Sequence, residues 1–91
     1  MPRLKPMEIG SVTGAIYDFD AVGDELPLHV HDKATNHMTI VARGSVEEFG
    51  EDYRKTLLAG SIVVFEAGVP HGFRALEPDT RIVQIHHERP L

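Results

Sequence analysis

Apolar and polar residues alternate in short stretches along the whole chain, and turn-forming residues separate these stretches. Alternation with a period of two is typical of β-strands that bury one face. No stretch keeps a helical periodicity for more than one turn. The pattern therefore predicts strands at 12–19, 26–31, 36–43, 46–49, 53–58, 62–65, 71–75 and 81–87. Short strands with a turn every ~8–12 residues predict an all-β sandwich or barrel.

Three segments carry a more specific expectation. Residues 1–11 contain two prolines, which remove backbone donors, and predict an N-terminal arm or edge segment ahead of a barrel domain at 12–91. Residues 62–65, Ile-Val-Val-Phe, are the most apolar run and predict a buried strand. The acidic residues within 47–52 predict a solvated hairpin tip. A length of 91 residues predicts a single domain.

The composition argues against several classes of function. The chain has no cysteine, which excludes disulfides, thiolate metal sites and cysteine nucleophiles. Its net charge is -5 and it has no basic cluster, so we expect neither nucleic acid nor a membrane as a partner. No apolar run approaches the ~20 residues that span a bilayer. The N-terminus lacks the apolar segment of a secretory signal, and we expect a cytoplasmic protein.

The histidines point to the chemistry of the chain. His29 and His31 are two residues apart, so an extended strand projects both rings from the same face. A polar, turn-prone segment at 32–36 lets the chain return, and His37 then begins the next predicted strand beside the pair. Three converging imidazoles are typical of a site for zinc, iron, nickel or copper. The alternative is a set of surface or core histidines, and a fourth histidine in a matching context, His71, favours the metal site.

Two spaced motifs contain these histidines. The first has Gly23, five residues, the His29-x-His31 pair, five residues, His37, six residues and Gly44. The second has Gly60, five residues, a three-residue segment ending in Gly68, two residues and His71. Together, and in this order, the two motifs resemble those of the cupin superfamily across roughly residues 20–75.

Three positions depart from the resemblance. His37 stands where the family usually has glutamate, Glu66 where it has proline, and Ala75 where it has asparagine. The resemblance implies a single-domain jelly-roll barrel, also called a double-stranded β-helix. It further implies that one divalent ion of iron, manganese, nickel, copper or zinc is bound inside the barrel. The ligands it implies are His29, His31, His37 and His71, because an imidazole at His37 is itself a competent ligand.

Other residues are candidates for the lining of a pocket. Thr39 and Val41 share the strand face of His37, and Phe73 shares the face of His71. Arg74 is a candidate for steering a substrate carboxylate, although a rim arginine paired with an acid is the favoured interpretation. The remaining candidates are left open or interpreted as non-ligands. Tyr17 and Glu66 are left open, and the adjacent His86 and His87 are interpreted as non-ligands.

Four neutral ligands leave the charge of a divalent ion uncompensated and leave coordination positions for a bidentate anion. The sequence therefore predicts a metal-dependent, dioxygenase-like enzyme acting on a small anionic or dicarbonyl organic molecule. One alternative is a non-catalytic, metal-stabilised module that binds or senses a small ligand. Another is a metal-independent sugar isomerase or epimerase. A small barrel with two apolar faces per sheet also predicts a homodimer.

Overall fold

The computed structural model describes residues 2–9, 12–30, 35–65 and 69–88. Nine β-strands and no helix occur in these ranges. The strands are β1 (Arg3–Ile9), β2 (Val12–Phe19), β3 (Glu25–His29), β4 (Thr35–Arg43), β5 (Ser45–Phe49), β6 (Arg54–Leu58), β7 (Ile62–Phe65), β8 (His71–Ala75) and β9 (Thr80–Glu88). Among the described residues there is accordingly no helix of the length and apolarity that a bilayer crossing requires.

The strands form two antiparallel sheets that enclose one core. The larger sheet has five strands in the order β1-β2-β9-β4-β7, and the smaller has four in the order β3-β8-β5-β6. The chain passes repeatedly from one sheet to the other, so that strands distant in sequence become neighbours. This arrangement is a jelly-roll barrel, and the all-β fold predicted from the sequence is confirmed.

One end of the barrel interior is filled by apolar side chains, which we call the apolar floor. The larger sheet contributes Phe19, Val41 and Ile82, and the smaller contributes Val46, Leu57 and Ala75. Most of these side chains are completely buried. Burying an aliphatic or aromatic side chain of this size stabilises the fold by about 1.5–3 kcal/mol. The apolar floor therefore holds the two sheets together.

Above the floor the interior becomes polar in two steps. The register pairs Thr39 with Gln84 in the larger sheet and Glu48 with Phe73 in the smaller, and we call these four residues the middle layer. The histidines lie two residues further along β4, β9 and β8. The pair His37 and His86 belongs to the larger sheet, and the pair His29 and His71 to the smaller. These four residues form the histidine layer.

The two edges of the larger sheet compare differently with the sequence expectation. The N-terminal segment, expected as an arm or edge segment, forms β1, which lies at one edge and pairs with β2 along its whole length. The prediction of a buried strand at 62–65 was wrong, because β7 lies at the opposite edge of this sheet. Ile62 is 61% exposed and Val64 is 69% exposed, and only Val63 packs against the core. A short apolar run does not distinguish a central strand from an edge strand.

The outer face of the larger sheet also carries apolar side chains. Two rows of paired residues run across β2, β9, β4 and β7, and we call them the outer apolar band. The band consists of Ile16, Met38, Ile40, Ile62, Val64, Val83 and Ile85. These side chains are half-buried or exposed. An apolar surface that crosses four strands is a candidate interface.

The junction of β4 and β5 provides a test of the fold. Gly44 has φ of 78°, and a Cβ at this position would overlap the side chain of the buried Thr80. We expect Gly44→Ala to lower the free energy of unfolding by about 2–4 kcal/mol, because backbone strain and overpacking add. Gly60 is the matched control, since its φ is 94° but open space surrounds the position of its Cβ. Gly60→Ala should lower the free energy of unfolding by only about 1–2 kcal/mol.

Urea denaturation of the two variants measures the difference. Equal losses of stability would show that Thr80 does not restrict the turn at Gly44.

Candidate metal centre

The histidine layer brings together imidazoles from both sheets. The ring centroids of His29 and His71 are 4.5 Å apart, and those of His37 and His71 are 5.1 Å apart. His86 stacks on His37 at 4.5 Å with an interplanar angle of 17°. The four rings therefore form a continuous series across the upper end of the barrel.

A β-bulge places His29 in this series. Leu26 pairs with Phe73 and faces the core, but the register then shifts by one residue so that His29 pairs with His71. Without the shift, Leu28 would lie opposite His71. Leu28 is instead 44% exposed. The extra residue of the bulge thus determines which side chain of β3 enters the interior.

Backbone carbonyls hold two of the rings in a defined tautomer. His29 Nδ1 lies 2.8 Å from the carbonyl oxygen of Pro27, and His71 Nδ1 lies 2.9 Å from that of Val69. A carbonyl oxygen only accepts, so both Nδ1 atoms are donors and Nε2 of each neutral ring carries a lone pair. Metal-binding histidines are commonly oriented by such a bond from the nitrogen that does not bind the ion.

Burial favours the neutral form of two rings of the histidine layer, His71 and His86. Burial lowers the pKa of His71, and the nearby His29 and His86 lower it further, although the bond to the Val69 carbonyl acts in the opposite direction. Burial likewise lowers the pKa of His86, with an additional contribution from His29. Neutral imidazole is the form that binds a metal ion.

Three of the four ligands predicted from the sequence thus lie in the histidine layer: His29, His37 and His71. The fourth, His31, lies outside the described residues. Within the described ranges, no group of three or more histidine, aspartate or glutamate side chains is arranged to hold an ion. The donor chemistry of the three rings nevertheless fits a transition metal, since neutral imidazoles with an oriented Nε2 suit iron, nickel, copper and zinc.

Several solved structures resemble this chain over nearly its whole length. No family model and no curated protein matches it. KdgF from Halomonas sp. is 24% identical with a TM-score of 0.82, and 96% of this chain covers 78% of that one. An RmlC-like cupin from Desulfovibrio desulfuricans is 23% identical with a TM-score of 0.85, and 98% of this chain covers 84% of that one. A Cupin_2 domain of an XRE family transcriptional regulator from Enterobacter cloacae is 17% identical with a TM-score of 0.82 and 97% coverage of both chains.

The chain has the double-stranded β-helix fold of these cupin structures. The resemblance recognised in the two sequence motifs is therefore confirmed at the level of architecture. The glycines at the ends of the first motif both have positive φ, 89° at Gly23 and 78° at Gly44. Gly60, which begins the second motif, has φ of 94°. These motif positions thus coincide with turns that favour glycine.

His86 is a member of the histidine layer that the sequence analysis missed. It was interpreted as a non-ligand, yet it pairs with His37 and stacks on it. Alternation along β9 from the buried Ile82 and Gln84 would have placed it inside. The signal was hidden because Val83 and Ile85 make the outer face of the same strand apolar as well.

The predicted pocket-lining residues divide into two groups. Thr39 and Phe73 are buried beside the histidine layer, with Thr39 Oγ1 3.5 Å from His37 Nε2 and the Phe73 ring centroid 6.0 Å from that of His71. Val41 lies deeper, in the apolar floor. Arg74 does not line the interior, because it faces outward and donates to Glu25 Oε2 at 2.8 and 3.0 Å.

The sequence analysis left open whether Tyr17 and Glu66 line the pocket. Tyr17 is half-buried on β2 and packs against the core, and burial raises its pKa. Glu66 lies outside the described residues.

Glu48 is a buried carboxylate in the barrel interior. The sequence analysis assigned it to a solvated hairpin tip, but its side chain is only 2% exposed. Tyr53 donates its hydroxyl to Glu48 Oε2 at 2.6 Å, and Lys55 Nζ lies 3.6 Å from Oε1. Burial and the bond to Glu48 raise the pKa of Tyr53, so the phenol stays protonated. Glu48 is paired in register with Phe73, whose strand also carries His71, and this pairing turns it inward.

An open depression lies beside this pair. It has a volume of about 600 Å³, and its described lining residues are Glu51, Asp52, Tyr53, Val69 and Pro70. Val69 also supplies the carbonyl that orients His71. The depression therefore adjoins the backbone that holds one predicted ligand.

The lowered pKa values of His71 and His86 predict how stability depends on pH. Below the ordinary histidine pKa of about 6.5, the unfolded chain binds protons that the folded chain does not. The free energy of unfolding of the metal-free protein should therefore fall as the pH decreases from about 7 to about 5, by up to about 1.4 kcal/mol per pH unit for each histidine.

Urea denaturation in the presence of a chelator measures this slope. His71→Gln should make the slope shallower, because one of the two titrating rings is removed. A slope in His71→Gln equal to that of the original protein would contradict the assignment to His71.

Proposed function

We propose that this cupin binds one divalent transition-metal ion, iron, manganese, nickel, copper or zinc, through His29, His31, His37 and His71. It then acts on a small anionic or dicarbonyl organic molecule. The observation that carries the proposal is the contact of His71 with both His29 and His37, three residues that come from three different strands. Their selection by motif spacing and their proximity in space are independent arguments for one site.

The charges of the barrel interior favour an anionic ligand that binds at the metal ion. Within the described residues, the buried side chains include one carboxylate, Glu48, and no lysine or arginine. An anionic ligand would therefore find its positive charge at the metal rather than at a protein cation. This arrangement also gives little support to a metal-independent sugar isomerase, whose substrates call for basic groups in the pocket.

A bound divalent ion would supply Lewis-acid polarisation and, if redox-active, a position for O₂ chemistry. The chain contributes orientation and exclusion of water. The Val69 and Pro27 carbonyls fix the rings of His71 and His29, and the apolar floor closes the barrel below the site. These features suit a dioxygenase-like enzyme.

A binding module without turnover is the second candidate. The Cupin_2 domain of a transcriptional regulator matches this chain over 97% of both lengths, so a cupin domain of this size also occurs in a regulatory protein. Turnover distinguishes the two candidates. Metal-dependent O₂ uptake with a hydroxy acid or a dicarbonyl supports the enzyme, whereas ligand-induced stabilisation without uptake supports the module.

Metal content tests the ligands directly. Protein purified without an affinity tag should hold about one equivalent of metal, and His71→Ala should lower this content about tenfold or more. His87→Ala is the matched control and should retain the metal content of the original protein. Elemental analysis of the three proteins gives the result, and equal contents in His71→Ala and the original protein would contradict the site.

We also propose that the outer apolar band forms a homodimer interface, because it continues to the exposed edge strand β7. Val64→Lys places a charge in the band and should convert the dimer to a monomer at micromolar concentration. Leu58→Lys is the control, because Leu58 is 63% exposed but lies on the smaller sheet. Size-exclusion chromatography with light scattering measures the mass, and a monomer in the original protein would contradict the interface.

A further inference from the structure

The middle layer contains two buried polar atoms whose hydrogen-bonding capacity the protein does not use. Glu48 Oε1 and Gln84 Nε2 make no hydrogen bond within the described part of the chain. The side chains are 2% and 1% exposed, respectively. Lys55 Nζ lies 3.6 Å from Glu48 Oε1, and this ion pair is longer than a hydrogen bond.

Such atoms are rare in folded proteins, and their presence requires an explanation. These two come from different sheets but lie at the same depth. Gln84 is two residues from His86 on β9. Glu48 pairs with Phe73, and Phe73 is two residues from His71 on β8. Both atoms thus lie one layer below the histidines, on the side towards which a ligand held at the histidine layer would extend into the barrel.

The chemistry of the two atoms defines what such a ligand must offer. A carboxylate oxygen only accepts, and Tyr53 already donates its single proton to the other oxygen of Glu48. Glu48 Oε1 thus requires an O–H or N–H group, and it repels carbonyl and carboxylate oxygens. Gln84 Nε2 donates and requires an oxygen. Hydroxyl groups meet both requirements, because each one donates and accepts.

We infer that the middle layer is a subsite for hydroxyl groups of the ligand, so that the ligand is a small polyhydroxylated organic acid. An oxalate-type diacid or a β-diketonate has no donor for Glu48. This inference rests on the proposed function, since the acid group of the ligand is held at the metal. It narrows that function from any small anion or dicarbonyl to a hydroxylated acid.

Two probes that differ by a single hydroxyl test the subsite. Lactate and glycerate carry the same 2-hydroxy acid, and glycerate adds a hydroxyl at the third carbon. Calorimetric titration of the Zn²⁺-loaded protein, with both enantiomers of each acid, should show about tenfold tighter binding of glycerate. Gln84→Met keeps the volume of the side chain but removes its polar atoms, and it should reduce this preference for glycerate over lactate at least threefold.

A matched control and a second measurement separate a binding role from a structural one. Thr56→Met introduces the same side chain at an exposed position of β6 and should leave the preference unchanged. In the metal-free protein, Gln84→Met should keep or raise the melting temperature, because it removes a buried donor without a partner. A clear fall in melting temperature would show a structural role for Gln84 and would overturn the inference.

The outcomes also distinguish this inference from the function on which it rests. Zn²⁺ and lactate binding without a preference for glycerate would overturn the subsite and leave the proposed function standing. A protein that binds no Zn²⁺ would overturn both.

Discussion

The contact between His37 and His71 is the interaction on which the site depends. It joins a strand of the larger sheet to a strand of the smaller, with ring centroids 5.1 Å apart. Two rings approach across a barrel only if the sheets are held at a fixed separation, and the apolar floor below them provides that separation. The packing of Phe19 and Ile82 is therefore a condition for the contact between the two histidine rings, although neither residue belongs to the histidine layer.

The interior shows a graded change from apolar to polar along the barrel. The floor is apolar, the middle layer mixes Phe73 with Glu48 and Gln84, and the histidine layer is polar throughout. Buried polar groups stabilise a fold less effectively than apolar ones, and an unpaired buried atom destabilises it by about 1–3 kcal/mol. In a domain of 91 residues, several such atoms lower the stability of the fold, and this cost is expected of a site that binds a ligand.

Much of this architecture could be predicted from the sequence, because strand alternation and turn residues are local signals. The strands at 12–19 and 62–65 have the predicted bounds, and the spacing of the two motifs selected His29, His37 and His71. Features that depend on pairing could not be predicted. Alternation from Leu26 puts His29 on the opposite face, and only the bulge returns it to the interior. The burial of Glu48 depends on its pairing with Phe73, a residue far along the chain, so its acidic neighbours suggested a solvated tip instead.

The bulge in β3 has a consequence for how related sequences are to be compared. Because the bulge between Leu26 and His29 decides which side chain lies opposite His71, the pairing of this strand carries information that its composition does not. A relative that lacked one of the two residues between them would place its histidine opposite His71 by regular alternation, whereas a relative with all of these residues and no bulge would present leucine to the interior. An alignment gap of one position in this strand is therefore compatible with the same chemistry, and an ungapped alignment does not guarantee it.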